Sequence, residues 1–279
     1  MFKLERYKKP SDYTKSPMRY PGGKFYALPY IMPYIQCVPH DEYREPFFGG
    51  GAVFFAKEKA PYSVINDLES EIIDFYRFIQ DPKKAEALIS LFNKEVASRE
   101  RHTEVKNLIP QSALEAAFKT YYLNRTSYSG IIHIPAWGYA EGKSSPPQNW
   151  GNFIRHASEK LRDVDIYSDD YKAILDLPAK GDKVFAYLDP PYYHADTKRA
   201  YTLPFTEKDH VRLANDLKNL DYYFCLSYDD CEEVRQLYDW AHIYSAVWNY
   251  NTANKHGEKR SRGNELIITN HKVTSTKCK

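Results

Sequence analysis

At 279 residues with a formal net charge of +2, the chain is long enough to bury a large core, and its overall charge singles out no acidic partner. The four cysteines, Cys37, Cys225, Cys231 and Cys278, include no Cys-x-x-Cys pair, which argues against a disulfide framework or a structural metal site. No apolar run approaches the roughly 20 residues of a membrane span, and the basic N-terminus lacks the apolar stretch of a secretory signal. A soluble, cytoplasmic protein with no membrane partner and no metal is expected.

In chain order, Glu42-Tyr43-Arg44-Glu45-Pro46 reads as a short strand feeding Phe47-Phe48-Gly49-Gly50-Gly51, with a helix from Ala52 to Lys57. Tyr62 to Asp67 reads as a second strand. Glu69 to Ile79 carries apolar residues at 72, 73, 75, 76 and 79, which is helical spacing, and Asp81-Pro82 ends that helix and seeds the next. From about Asp81 to Asp163 the chain is mainly helical and polar, and Thr126 to Asn152 is irregular and rich in Gly, Pro, Ser and Trp. So long a loop in a compact domain is usually functional, and we expect a domain insertion there. Val184-Phe185-Ala186-Tyr187-Leu188 reads as a buried strand. Thr206 is a plausible cap for a helix running through Leu217. Further strands are expected over Tyr222 to Ser227, Ala241 to Trp248 and Glu265 to Thr269.

Asp189-Pro190-Pro191-Tyr192 follows the buried strand, at the carboxyl edge where open α/β sheets bind ligands. Neither proline carries an N–H, so the Asp189 and Pro190 carbonyls face a local shortage of backbone donors. A carboxylate, a bare carbonyl and an aromatic ring suit a planar ligand with an NH2 group, such as a nucleobase. Phe47 to Gly51 lets backbone approach a ligand closely, but its spacing is not G-x-G-x-x-G and no Walker lysine follows. Asp67, ending the second strand, could accept from ribose hydroxyls or cap the next helix; the two roles are compatible. Gly22-Gly23-Lys24 at a helix start suits an anion. Leu123 to Gly130 mixes an arginine, amides, hydroxyls and a tyrosine, as in phosphate and base-edge contacts, although a polar surface loop has the same composition. Seven Lys and Arg stand against two acids between Lys255 and Lys279; a solvated basic tail is the plainer reading.

Taken together and in order, Tyr-x-Gly-Gly-Lys, Glu-Pro-Phe-x-Gly-Gly-Gly, a strand-ending Asn-Asp, Asn-Arg-x-x-Tyr-Ser-Gly and Asp-Pro-Pro-Tyr resemble the Dam-like, D12-class DNA adenine-N6 methyltransferases of the α group. The resemblance spans about residues 16 to 270 and is weakest over 131–155, the region of the family's recognition hairpin. It implies an α/β fold: a Rossmann-like S-adenosylmethionine-dependent methyltransferase sheet with an inserted, mainly helical target-recognition domain. The catalytic domain would comprise residues 1–80 and 164–279, and the insertion residues 81–163.

The resemblance also assigns residues. Tyr20, Lys24, Phe47, Gly49, Gly51, Asp67 and Asp189 would bind S-adenosylmethionine. Asp189, Pro190, Pro191 and Tyr192 would form the catalytic centre, with the Asp189 carboxylate and Pro190 carbonyl accepting the two hydrogens of adenine N6 and Tyr192 stacking on the flipped base. Asn124, Arg125, Tyr128, Lys259, Arg260 and Arg262 would contact double-stranded DNA. A GATC-like target and a cognate restriction endonuclease, without direct contact, fit the family. Cytosine-N4 and RNA adenine-N6 transfer share Asp-Pro-Pro-Tyr, but the Gly-Gly-Lys and Asn-Arg motifs favour adenine in DNA. Protein glutamine methylation usually carries Asn in place of Asp189. A DNA-binding module that has lost catalysis is the reading from another class.

Overall fold

The computed structural model describes residues 13–194, 205–249 and 262–273. Seven strands form one sheet: β1 Glu42–Glu45, β2 Tyr62–Asn66, β3 Val164–Tyr167, β4 Val184–Leu188, β5 Tyr223–Asp229, β6 His242–Asn249 and β7 Arg262–Thr269. Their order is β3-β2-β1-β4-β5-β7-β6. β7 runs antiparallel to both neighbours, and the pairs from β3 across to β5 are all parallel. This is the Rossmann-like α/β sheet that the resemblance implies, and β7 is its one reversed strand. The central strands are buried along their length, which explains why Val184 to Leu188 reads as an unbroken apolar run rather than an alternating one.

The helices are α1 Leu28–Gln36, α2 Ala52–Ala56, α3 Ser70–Gln80, α4 Pro82–Phe92, α5 Arg99–Asn107, α6 Ala113–Thr126, α7 Trp150–Leu161, α8 Tyr171–Leu175, α9 Glu207–Lys218 and α10 Glu232–Leu237. A 3-10 turn, Lys24–Tyr26, precedes α1. Asp81 accepts from the backbone N–H groups of Lys83 and Lys84 and so starts α4 immediately after α3. Thr206 and Asp209 form a reciprocal capping box at the head of α9. Helices α4 to α7 lie between α3 and β3 in the chain, and their apolar faces join the core of the sheet: Phe75 of α3 stacks on Tyr121 of α6 at 5.0 Å, and Phe92, Tyr121 and Tyr122 surround the buried Trp150.

Three differences from the sequence reading have physical causes. The N-cap position of α3 is Glu69, without a side-chain cap, and Asp67 divides its carboxylate between the Glu69 N–H before the helix and the Gly49 N–H of the glycine loop. β5 continues two residues past Ser227 and β7 begins three residues before Glu265, since antiparallel pairing carries both to the ligand edge. The stretch from Thr126 to Asn152 is irregular but packed. Ser127 bridges Trp137, the Tyr128 N–H donates to the Ala136 carbonyl at 2.8 Å, and a Cβ on Gly138 would lie 2.4 Å from the Tyr128 nitrogen.

Strand β1 carries a fully buried ion pair within itself. Arg44 Nε and Nη2 reach Glu42 Oε1 at 2.7 and 2.6 Å, while Arg44 Nη1 donates to the Ile174 and Leu175 carbonyls at 3.0 Å each. Glu42 Oε2 in turn accepts from the Lys180 and Gly181 N–H groups. Removing one partner of a buried pair strands the other. Arg44→Met should therefore lower the unfolding free energy by roughly 3–5 kcal/mol, read from urea midpoints; a loss below about 1 kcal/mol would show the pair to be dispensable.

Candidate active site

The sheet reverses its winding between β1 and β4, and a crevice opens outside the carboxyl ends of those two strands. A cavity of about 320 Å³ lies there, within the size range of small-molecule sites. Tyr20, Lys24, Phe47, Gly49, Gly51, Asp67, Asp189 and Pro191 all line it, so the structure brings the residues expected to bind a cofactor around one space. Gly51 has φ +66°, and a Cβ there would lie 2.4 Å from the Phe48 ring. A Cβ on Gly49, at φ +46°, would meet the Tyr20 ring at 2.8 Å. No other residue fits either position without displacing an aromatic wall.

The loop is held by its neighbours. Asp67 Oδ2 accepts from the Gly49 N–H at 2.6 Å and Oδ1 from the Glu69 N–H at 2.9 Å. Burial raises the Asp67 pKa above the ordinary value, against the opposing pull of these backbone donors. Phe47 stacks on Tyr171 at 5.4 Å and gives the cavity an aromatic side.

At the other end stands Asp189. Lys24 Nζ contacts Asp189 Oδ1 at 2.7 Å and Oδ2 at 2.8 Å, and also donates to the Gly22 carbonyl at 3.0 Å. The lysine side chain is 5% exposed and the aspartate 22%. Because β4 and β5 pair Leu188 with Leu226, the next residues meet as well: Ser227 Oγ donates to Asp189 Oδ1 at 2.8 Å and is itself 2.9 Å from the Tyr187 hydroxyl. These contacts use about three of the four lone-pair sites of the carboxylate and leave one on Oδ2. The anion that the Gly-Gly-Lys turn binds is thus one from its own chain. Tyr192 lies under Lys24, ring centroid 4.8 Å from Nζ, and its hydroxyl donates to Glu265. The loop that follows is held by Asp229, whose carboxylate accepts the N–H groups of Tyr193 and His194 at 2.9 and 3.2 Å.

A profile of D12 class N6 adenine-specific DNA methyltransferases matches residues 20–252. The chain belongs to this family. It is 28% identical over 274 residues to the type II methyltransferase M1.LlaDCHI of Lactococcus lactis subsp. cremoris, covering 91% of this chain and 94% of that one. It is 27% identical to the type II methyltransferase M.CviBI of Paramecium bursaria Chlorella virus NC1A, over 80% and 85% of the two chains. The DNA N-6-adenine-methyltransferase of Escherichia phage P1 is 28% identical over 71% of this chain and 27% of its own length. The protein is an adenine-specific DNA methyltransferase that uses S-adenosylmethionine as methyl donor. The cavity fits that donor: it offers a carboxylate at each end, an aromatic side and close-lying glycine backbone.

The residues expected to touch DNA divide. Asn124 is fully buried: its Oδ1 accepts from the Arg19 N–H at 2.8 Å, and its Nδ2 donates to the Arg19 and Gly130 carbonyls at 2.7 and 2.8 Å. In this structure it anchors the segment before Tyr20 instead of facing solvent. Arg125 lies over Trp150 and Phe153, and Tyr128 is 60% exposed. Arg125, Arg19, Lys15 and Lys143 line a second cavity of about 580 Å³, which shares Tyr20, Gly23, Gly50 and Ala52 with the first. Burial, with Arg125 adding repulsion, lowers the Arg19 pKa to about 10. Lys259 and Arg260 lie outside the described residues, as does the side chain of Arg262.

Sequence reasoning missed Ser227, Glu45 and Glu265 as members of the site. The signal for Glu265 was a carboxylate opening the apolar run Leu266-Ile267-Ile268. It also missed that the fold gathers His194, Cys231 and Glu233, with ligand atoms within 4.8 Å of one another; burial pushes the Cys231 thiol up to about 11, so it is protonated at neutral pH.

Glu45 lines the cavity, is buried, and accepts the Tyr43 hydroxyl at 2.6 Å. Burial pushes its pKa up to about 8, with the Tyr43 hydrogen bond opposing and Asp189 adding to the rise. The folded protein therefore holds a proton that the unfolded chain releases near 4.5, and this group's contribution to stability falls as pH rises between those values. Glu45→Gln should shrink the drop in Tm between pH 5 and pH 8 measured without ligand. An undiminished drop would show that Glu45 ionises normally in the folded state.

Proposed function

We propose that the protein methylates N6 of an adenine extruded from double-stranded DNA, within a GATC-like site, with Asp189 as the group that orders the reacting amine. The observation that carries this reading is the carboxylate of Asp189, fixed by Lys24 and Ser227 at the mouth of the cavity and still open on one side.

Adenine N6 is a weak nucleophile because its lone pair is delocalised into the ring. Hydrogen bonds from its two hydrogens to Asp189 Oδ2 and to the Pro190 carbonyl would hold that nitrogen pyramidal and free the pair. S-adenosylmethionine supplies an electrophilic methyl on a sulfonium, and the amine sheds one proton once alkylated. The protein's contribution is position and charge, held in advance by a carboxylate that cannot swing. Asp67 is suited to the ribose hydroxyls of the donor, and Phe47 and Tyr171 to its purine. Tyr192 would stack on the extruded base.

Residues 81–163 would act as the target-recognition domain inserted between catalytic segments 1–80 and 164–279. Support comes from the second cavity, whose cations Lys15, Arg19, Arg125 and Lys143 face it with no acidic residue in its lining. A phosphate backbone matches such a surface. The strand ends flanking residues 250–261, Asn249 and Arg262, pair at the same edge of the sheet as Asp189, which suits Lys259, Arg260 and Arg262 to the same strand of DNA. No helix among the described residues is long and apolar enough to cross a membrane, in keeping with work on DNA in the cytoplasm. The resemblance to restriction-modification enzymes makes a cognate endonuclease a natural companion, acting on the same site without contact.

Labelled S-adenosylmethionine and mixed-sequence duplex DNA, followed by sequencing that reports modified bases, should reveal N6-methyladenine in one recurring motif. Asp189→Ala should reduce transfer by at least about 100-fold, and Tm should fall as well because the buried Lys24 ammonium loses its partner. Near wild-type turnover in that variant would sink the assignment. Lys15→Ala and Lys143→Ala should each flatten the dependence of log K on log salt by about one unit. Unchanged slopes would remove the second cavity from the DNA path.

A further inference from the structure

The reversed strand β7 brings a carboxylate to the active edge that the reaction as described does not use. Glu265 lies opposite Asp229 of β5 and Ala246 of β6 in the antiparallel register. It is 1% exposed. Its Oε2 accepts the hydroxyl hydrogen of Tyr192, and its Oε1 is buried with no hydrogen-bond partner among the described residues. A half-satisfied buried carboxyl costs stability that an apolar side chain would not, so its retention here calls for a use.

The tyrosine it holds is the last residue of Asp-Pro-Pro-Tyr. The Tyr192 ring is pinned at three points: Lys24 lies over its face, Tyr228 lies against it at 6.1 Å, and Glu265 takes its hydroxyl. The first two contacts leave the ring free to turn in its own plane and to tilt. The third fixes its far end. We propose that Glu265 is a positioning residue for methyl transfer, whose ionised carboxylate holds Tyr192 in the orientation on which the extruded adenine stacks. This rests on the reading above that Tyr192 stacks on the base.

The groups that face Glu265 come from three elements: Lys24 from the 3-10 turn, Asp189 and Tyr192 from the loop after β4, and Asp229 from β5. Burial raises its pKa to about 7; Lys24 and the Tyr192 hydrogen bond oppose the rise, while Asp189 and Asp229 add to it. The carboxylate form accepts a charge-assisted hydrogen bond and the protonated form a neutral one of roughly half the strength. Ring order, and with it the rate of transfer, should rise with pH across neutrality.

Single-turnover methylation of an unmodified duplex reports the rate, and a matched duplex with 2-aminopurine at the target position, which has no N6 amino group to methylate, reports base stacking by its fluorescence. For wild type we expect a rate that climbs several-fold between pH 6 and 8 with a midpoint near 7, and fluorescence of the extruded base quenched in parallel. Tyr192→Phe keeps the ring and loses the hydroxyl; it should turn over slowly and without the pH limb. Glu265→Gln keeps an acceptor that does not ionise. It should retain activity within about tenfold of wild type at pH 8 and also lose the limb. A purely structural Glu265 would lower Tm and leave the pH profile intact, which would overturn the proposal. So would a Tyr192→Phe enzyme with the wild-type profile, a result that stands even if the Glu265 variant fails to fold. Tyr192→Ala separates the underlying reading: if it transfers methyl at the wild-type rate, stacking on Tyr192 is wrong. If it loses transfer while Tyr192→Phe and Glu265→Gln match wild type, stacking survives and the role of Glu265 falls.

Discussion

An ammonium with 5% exposure must have a partner, and the structure is arranged around the one that Lys24 has. Its two contacts with Asp189 join residues 165 apart in sequence, across the whole of β1 to β3 and the helices between them. Neighbouring residues make comparable ties. Ser16 Oγ donates to the Gly50 carbonyl, and the Arg19 guanidinium donates to the Asn124 and Ser127 carbonyls. One short segment, residues 16–24, thus binds the glycine loop, the end of α6 and the end of β4. Without the Lys24–Asp189 pair this strap would have no purchase on β4, and the cavity would lose one wall and its anionic end together.

The electrostatics follow from how many acids crowd that one cation. Asp189 interacts with both Glu45 and Glu265, and Glu265 also with Lys24 and Asp229. Burial raises Glu45 to about 8 and Glu265 to about 7, so at neutral pH Glu45 is mostly protonated and Glu265 only about half so. Asp189 differs from both in having solvent on one side and Lys24 on the other. Protonating the two buried acids limits the charge that must be dehydrated in the pocket and the number of anions that compete for one amine's hydrogens.

Local chemistry made much of this legible in the sequence, and long-range register hid the rest. Asp189, Asp67 and the glycine loop announce themselves because each ends a strand in a run of a few residues, and a parallel sheet brings such ends together whatever the strand order. The buried strand 184–188 is legible because both its faces are covered. Ser227 and Glu265 enter the site only through pairing with β4 and β5, which no local pattern encodes. Asn124 misled for the opposite reason: an amide beside an arginine in a polar stretch suggests a surface, and here it is spent wholly on backbone groups of Arg19 and Gly130. The loop from Thr126 to Asn152 is likewise ordered by contacts with distant residues, such as the 2.5 Å approach that a Cβ on Gly130 would make to the Arg19 carbonyl oxygen.

Tyr20 stands between the two cavities, lining both together with Gly23, Gly50 and Ala52. Its ring lies so close to the glycine loop that a Cβ on Gly49 would touch it at 2.8 Å, and one on Gly50 would reach the tyrosine Cβ at 3.0 Å. One cavity has carboxylates in its lining; the other has cations and none. Two ligands of opposite charge character, a sulfonium and a phosphate chain, can therefore be held within one side chain's breadth of each other without sharing counter-ions. The strap fixes the wall between them at both ends, at Arg19 and at Lys24. Each end is bonded to a different part of the fold, so the end of α6 and the carboxylate of Asp189 are tied to one another through residues 19 to 24.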